Sequence, residues 1–294
     1  MLRRMSTPSR AELAAFLSKH GLGRVAQALA EAARPCVHVK TGACDEDEIE
    51  VGASKMGGRP DLPAGFEWPE KDGRRLQFLV QIRCEEAAAL DATGTLPRSG
   101  YLWFFYDMDE QPWGFDPKDR GGWAVRYADV GAGALRRAED GGDAENAPEE
   151  VCALSFRAAF SLPQDVEGRT GIELTDEEGD AVTELPDGAT EEGEGSPLVS
   201  AGHRLLGYPM PVQGDEMEEE CETASGGRAP ARGGREEREE MQRRVARWRL
   251  LMQVDTDDEA GVMWGDCGML YFWLPEESLA ARRFEDVWLV LQCY

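Results

Sequence analysis

Apolar positions recur along this chain with two periods, and the change of period marks a change of architecture. Between residues 10 and 33, Leu13, Phe16 and Leu17 form one helical stripe, and Val25, Ala28, Leu29 and Ala32 form a second. The stripes are separated at Gly21-Leu22-Gly23, which predicts an N-terminal helical hairpin capped by Ser6 or Ser9 and ended by Pro35. Beyond Pro35 the alternation shortens to two. Val37-His38-Val39 and residues 77–82, 101–106, 123–127, 151–160, 249–254, 269–274 and 287–291 read as strands. Residues 85–90, 236–248 and 276–282 read as helices, the second supported by Glu239–Arg243 and Glu240–Arg244 at four-residue spacing. Hairpin-scale connections without regular β-helix-β alternation point to an α+β fold of mainly antiparallel sheets.

Three short patterns then occur twice in the same order. Ser54-Lys55-Met56-Gly57-Gly58-Arg59-Pro60 is echoed by His203-Arg204-Leu205-Leu206-Gly207-Tyr208-Pro209, and Leu79-Val80-Gln81-Ile82 by Leu251-Met252-Gln253-Val254. Gly100-Tyr101-Leu102-Trp103-Phe104-Phe105 is echoed by Gly268-Met269-Leu270-Tyr271-Phe272-Trp273. Order is kept while loop lengths differ, as expected of two related halves, an internal duplication, over residues 54–130 and 203–294. The chain reads as one domain over residues 1–294. Residues 131–200 read as an acidic, partly mobile insertion, irregular over 163–187, and residues 214–234 as a flexible insertion rich in glycine. An interface between related halves is where a ligand site is expected.

Charge narrows the partners. The formal net charge is −25 and the pI about 4.5; residues 139–194 alone hold 18 acidic and 2 basic residues. Such a balance disfavours nucleic acid and anionic membranes, both of which need a basic face. Seven cysteines, odd in number and without a C-x-x-C pair, argue against a disulfide scaffold. No apolar run has the length of a membrane span, and the first ten residues lack a signal core, so a cytoplasmic protein is expected.

Candidate chemistry is sparse. Asp255, Asp257 and Glu259 are spaced as calcium-loop ligands would be, with Asp258 between them, but Ala260 stands where such a loop needs glycine. The loop continues through Trp264 and Asp266; an aromatic there must pack on something. Lys55 before Gly57 and Gly58 lacks the Lys-Ser/Thr and helix of a phosphate loop, and Pro60 and Pro63 forbid that helix. Among three histidines, His203 opens the second glycine-proline block and is the candidate for a site; His38 reads as lying opposite the apolar face. Gln81 and Gln253 sit in buried strands and require full hydrogen bonding, to loops or to a ligand.

These residues also carry a family likeness. Arg34-Pro35, Gly52–Pro63, Phe66-Glu67-Trp68-Pro69, Phe78–Ile82, His203–Pro209 with Gln213-Gly214-Asp215, and Leu251–Asp255 through Met263–Gly268 resemble the YwqG-like family, a bacterial domain of unknown function. The departures are the acidic stretch near 139–194 and a Gly/Arg/Glu-rich insertion at 216–247. The resemblance implies a single α+β domain with an internal duplication, and no cofactor, substrate or catalytic residue to carry over. The expectation is therefore a non-enzymatic binding module. Its surface is expected where Lys55, Gly57, Gly58, Pro60, Gln81, His203, Gly207, Pro209, Gln253, Asp255, Asp257, Trp264 and Asp266 converge. The expected partner is a basic protein, neutralised as an immunity protein neutralises a toxin; oligomeric state is left open. The alternative is a hydrolase or metal-dependent enzyme using the Asp255–Asp266 loop with His203, its metal ligands Asp255, Asp257 and Glu259.

Overall fold

The alternating segments become ten strands of one sheet: β1 (Arg34–Ala43), β2 (Lys55–Met56), β3 (Gln77–Arg83), β4 (Tyr101–Tyr106), β5 (Trp123–Ala128), β6 (Cys152–Ser161), β7 (His203–Leu205), β8 (Trp248–Asp255), β9 (Met269–Pro275) and β10 (Trp288–Gln292). This computed structural model describes residues 7–143, 150–190, 193, 195–226 and 234–294. The spatial order is β10-β9-β8-β7-β1-β6-β2-β3-β4-β5, and every pairing in it is antiparallel. At the centre β1 and β6 pair along their whole length, from Arg34↔Ser161 to Ala43↔Cys152.

The sheet curls until its edges nearly close a barrel. Trp123 of β5 meets Trp288 of β10 edge to face at 4.9 Å, and its indole N–H donates to the Val287 carbonyl at 3.1 Å. Residues 113 and 114 fill the remaining gap: the Leu291 amide donates to the Trp113 carbonyl, and the Trp288 indole to that of Gly114. The enclosed core is aromatic, with Phe104 and Phe272 from opposite sides in edge contact at 5.1 Å.

Eight α-helices are described: α1 (Arg10–Leu17), α2 (Ala26–Ala32), α3 (Cys84–Ala88), α4 (Val166–Thr170), α5 (Asp176–Thr183), α6 (Met217–Gly226), α7 (Arg235–Val245) and α8 (Glu276–Ala280). Ser9 caps α1 in a capping box with Glu12, and the chain turns at Gly21, φ 86°, where glycine carries no steric penalty. Leu13, Leu17, Leu22 and Leu29 then bury against Phe160 of β6 and Val166 of α4. All seven cysteines are free thiols. No helix among the described residues is long and apolar enough to cross a membrane.

Three expectations are corrected. Residues 131–200 are no mere insertion, since they supply β6, one of the two central strands. Residues 163–187 are not irregular: Thr175 and Glu178 form a capping box that starts α5, and Arg24 clasps the Glu178 carboxylate, tying α5 to the hairpin. Part of 214–234 is α6, which buries Met217, Cys221 and Ala224 against the main core. The mobility expected at 144–149, 191, 192, 194 and 227–233, including Gly227 and Gly233, and the cap at Ser6, lie outside the described residues.

The sequence echoes coincide with matching hydrogen bonds. Gln81 Nε2 donates to the Ala53 carbonyl and Oε1 accepts from the Asp61 amide; Gln253 Nε2 donates to the Gly202 carbonyl and Oε1 accepts from the Met210 amide. Each glutamine follows a register shift, at Phe78/Val80 and at Leu250/Met252. Trp103 donates to the Asp61 carbonyl and Tyr271 to that of Met210. The Gly57 amide donates to Leu79, and the Leu206 amide to Leu251.

Candidate functional site

Most of the side chains expected at a surface are instead enclosed. The Lys55 ammonium is fully buried, 3.3 Å from Glu46 Oε1 and 3.9 Å from Asp61 Oδ1, and it donates to the Arg59 carbonyl. Burial lowers its proton affinity while the Asp61 charge opposes the change. Asp61 in turn accepts from Arg137 Nε and the Gly52 amide, both at 2.9 Å, so the cluster is saturated from within. Gly57 has φ 73°, and a Cβ there would fall 2.4 Å from the Glu150 carbonyl oxygen; Gly58 adjoins Val151 as tightly. The Pro60 carbonyl accepts from Ala138. Gln81 and Gln253 spend their amides on the backbone as described. These residues hold strands and turns together, which corrects the expectation that they form a recognition surface.

The remaining candidates are dispersed. Gly207 packs on Ser161 and Cys36, beside a buried Pro209. Trp264 is buried: its indole donates to the Asp255 carbonyl at 3.0 Å, and its ring meets Tyr106 edge-on at 5.7 Å. Asp266 is exposed beside the C-terminus, its carbonyl accepting from the Tyr294 amide. Lys55 and His203 stand on strands flanking the β1–β6 pair, roughly 14 Å apart across the sheet at ~4.8 Å per strand and further offset along it. Lys55 is therefore not part of the site that His203 lines.

A polar cleft of about 300 Å³ does form where β1, β7 and the loop after β8 meet. His38, Thr41, His203, Asp255 and Asp257 line it, with Asp258 and Glu259 exposed at its mouth. The Asp255 amide donates to His203 Nδ1 at 3.0 Å, so this nitrogen carries no proton and Nε2–H donates to Asp257 Oδ2 at 2.8 Å. Thr41 Oγ1 donates to the same oxygen at 2.7 Å, while the Glu259 and Ala260 amides donate to Oδ1. Burial works to raise the Asp257 carboxyl, yet the His203 and Thr41 bonds prevail and hold it well below the usual carboxylate range. Asp255 accepts from the Gly202 amide, and burial raises it.

This geometry restricts the chemistry. A general base needs a nitrogen free to take a proton, and both nitrogens of His203 are engaged. Asp257 is consumed by donors that leave it little capacity as a ligand. Among the described residues no group of three or more His, Cys, Asp or Glu side chains is arranged to hold a metal ion. His38, which the alternation assigned to the opposite face, was missed as a lining residue; burial, aided by the Arg157 charge, pulls its imidazole down to about 4. Thr41 was missed as well, because its bond partner lies 216 residues away.

From the mouth of the cleft outward, exposed carboxylates gather. Asp45, Asp47, Glu48 and Glu50 precede β2, Glu150 precedes β6, and Asp258 and Glu259 follow β8. These segments touch: the Cys44 amide donates to the Val151 carbonyl, Gly261 adjoins the Glu150 side chain, and Cys152 Sγ lies 3.4 Å from the Glu259 carbonyl oxygen. None of the seven carboxylates makes an ion pair among the described residues.

An antiparallel sheet curled almost to a barrel and flanked by helices defines an α+β domain. The model of the DUF1963 family, a domain of unknown function, matches residues 54–293, and this chain belongs to that family. No curated protein matches the chain.

Proposed function

We propose that this chain is a non-enzymatic binding module, built from a duplicated sheet unit, that docks a basic protein partner on the acidic face beside the His203–Asp257 cleft. The observation that carries this reading is the set of seven exposed carboxylates, without an ion pair among the described residues, on three touching segments. Like charges held this close repel one another, and the repulsion is relieved when a cationic surface covers them. The engaged nitrogens of His203 support a binding role over acid–base catalysis. The recurrent hydrogen bonds around Gln81 and Gln253, and the sheet order that is symmetric about β1 and β6, support descent of the two wings from one unit. A basic toxin domain is the kind of partner such a face would neutralise.

Affinity capture from native lysate tests the reading. The wild-type chain should recover a basic protein at one-to-one stoichiometry and release it as salt rises to about 0.5 M, where charge contacts are screened. The triple reversal Glu48→Lys, Asp258→Lys, Glu259→Lys should recover none while keeping the wild-type melting temperature to within a few degrees. Failure to recover a basic protein, or its retention by the reversed variant, sinks the proposal.

A further inference from the structure

At the end of β7 opposite His203 lies a second cavity of about 300 Å³, lined by Leu206, Leu250 and Leu279 on its apolar side and by Arg34, Thr93 and the Arg249–Glu276 pair on its polar side. Arg34 is stacked on the Tyr208 ring at 4.0 Å from the centroid. It makes no ion pair and no hydrogen bond among the described residues, although burial lowers its proton affinity. The other cation on the wall, Arg249, is spent on Glu276 and on the Ala246 and Trp248 carbonyls. Arg34 is thus a partly desolvated cation without a carboxylate partner among the described residues, set on a cavity of mixed apolar and polar lining. A charge in that position is unfavourable unless something pairs with it.

A second feature marks the same cavity. Leu206 has φ 61°, a left-handed conformation that costs a non-glycine residue about 1 kcal/mol. At the matching turn after β2, Gly57 occupies the position with φ 73°. The second turn accepts backbone strain and gains a leucine side chain on the cavity wall.

We propose that this cavity binds an organic monoanion, a carboxylate carried on an apolar body. The planar guanidinium, held by its aromatic stack, presents a fork that matches a carboxylate in two parallel hydrogen bonds. One free cation balances one negative charge, and the leucine walls accommodate hydrocarbon. Inorganic phosphate, small and strongly hydrated, would leave those walls uncovered.

Calorimetric titration with benzoate, with its neutral isostere benzamide and with inorganic phosphate tests the proposal. Benzoate should bind saturably, about tenfold or more tighter than benzamide, the factor that one charge-assisted bond contributes. Arg34→Met should abolish that preference while leaving the melting temperature equal or higher, because an unpaired cation is removed. Leu206→Gly relieves the strained φ but removes a buried side chain from the core, so it should weaken benzoate and lower the melting temperature. The proposal is overturned if benzoate gives no saturable heat at millimolar concentration, if benzamide binds equally, if phosphate binds as tightly as benzoate, or if Arg34→Met keeps the preference.

Discussion

His38 and His203 stand on neighbouring strands and line one cleft, yet their surroundings prepare them for different behaviour. His203 is locked between the Asp255 amide and the Asp257 carboxylate, a role that replaces hydration with fixed partners. Among the described residues His38 has no such partner, and Arg157 and Arg204 add to the cost of charging it. Its proton is taken up near pH 6.5 in an unfolded chain but only near pH 4 in the folded one. The folded value is the lower, so its contribution is complete above about pH 6.5 and fades as the pH falls towards 4. The wild type should lose on the order of 3 kcal/mol more than His38→Gln across that window. Urea denaturation of both chains at several pH values reads the difference, and parallel curves would show that His38 is not the titrating group.

Among elements, length decided what could be read in advance. Strands such as β3, β4, β8 and β9 carry six to eight residues of aromatic and branched side chains, enough for the period to declare itself. By contrast β2 and β7, with two and three residues, have no period to detect, although the glycine-proline turns after them were visible. The α5 helix was hidden by its acidity and by Gly179, while its Thr175-x-x-Glu178 start was a legible signal passed over. The His203–Asp257 pair was unreadable for another reason, since 54 residues separate its members and only the β7–β8 pairing joins them. Arg34 was legible as a motif but not as an unpaired charge. Replacement Thr175→Ala should cost about 1 kcal/mol through the lost cap. Amide exchange over 176–183 should quicken selectively; unchanged protection there would mean that tertiary contacts with Arg24 alone hold the helix.

At the scale of the whole molecule, the near-closure of the sheet rests on a very small residue. A Cβ on Gly114 would fall 1.8 Å from the Leu289 carbonyl oxygen, and its φ of 85° already favours glycine. Gly114→Ala should therefore destabilise the protein by at least about 2 kcal/mol. It should also uncover the β10 edge, raising light scattering on mild warming; a variant that melts and scatters like the wild type would show that residues 113–114 do not seal the gap. The seam at the centre has a different consequence. Residues 54–293 match the family, yet β1 begins at residue 34 and lies between β7 and β6. A chain trimmed to the matched span would leave an empty lane one strand wide through the middle of its sheet, two flanking ladders unpaired and the Val37 and Val39 slots open to water. The autonomous folding unit is thus larger than the region by which its kin are recognised, and expression fragments should be cut ahead of the hairpin that leads into that lane.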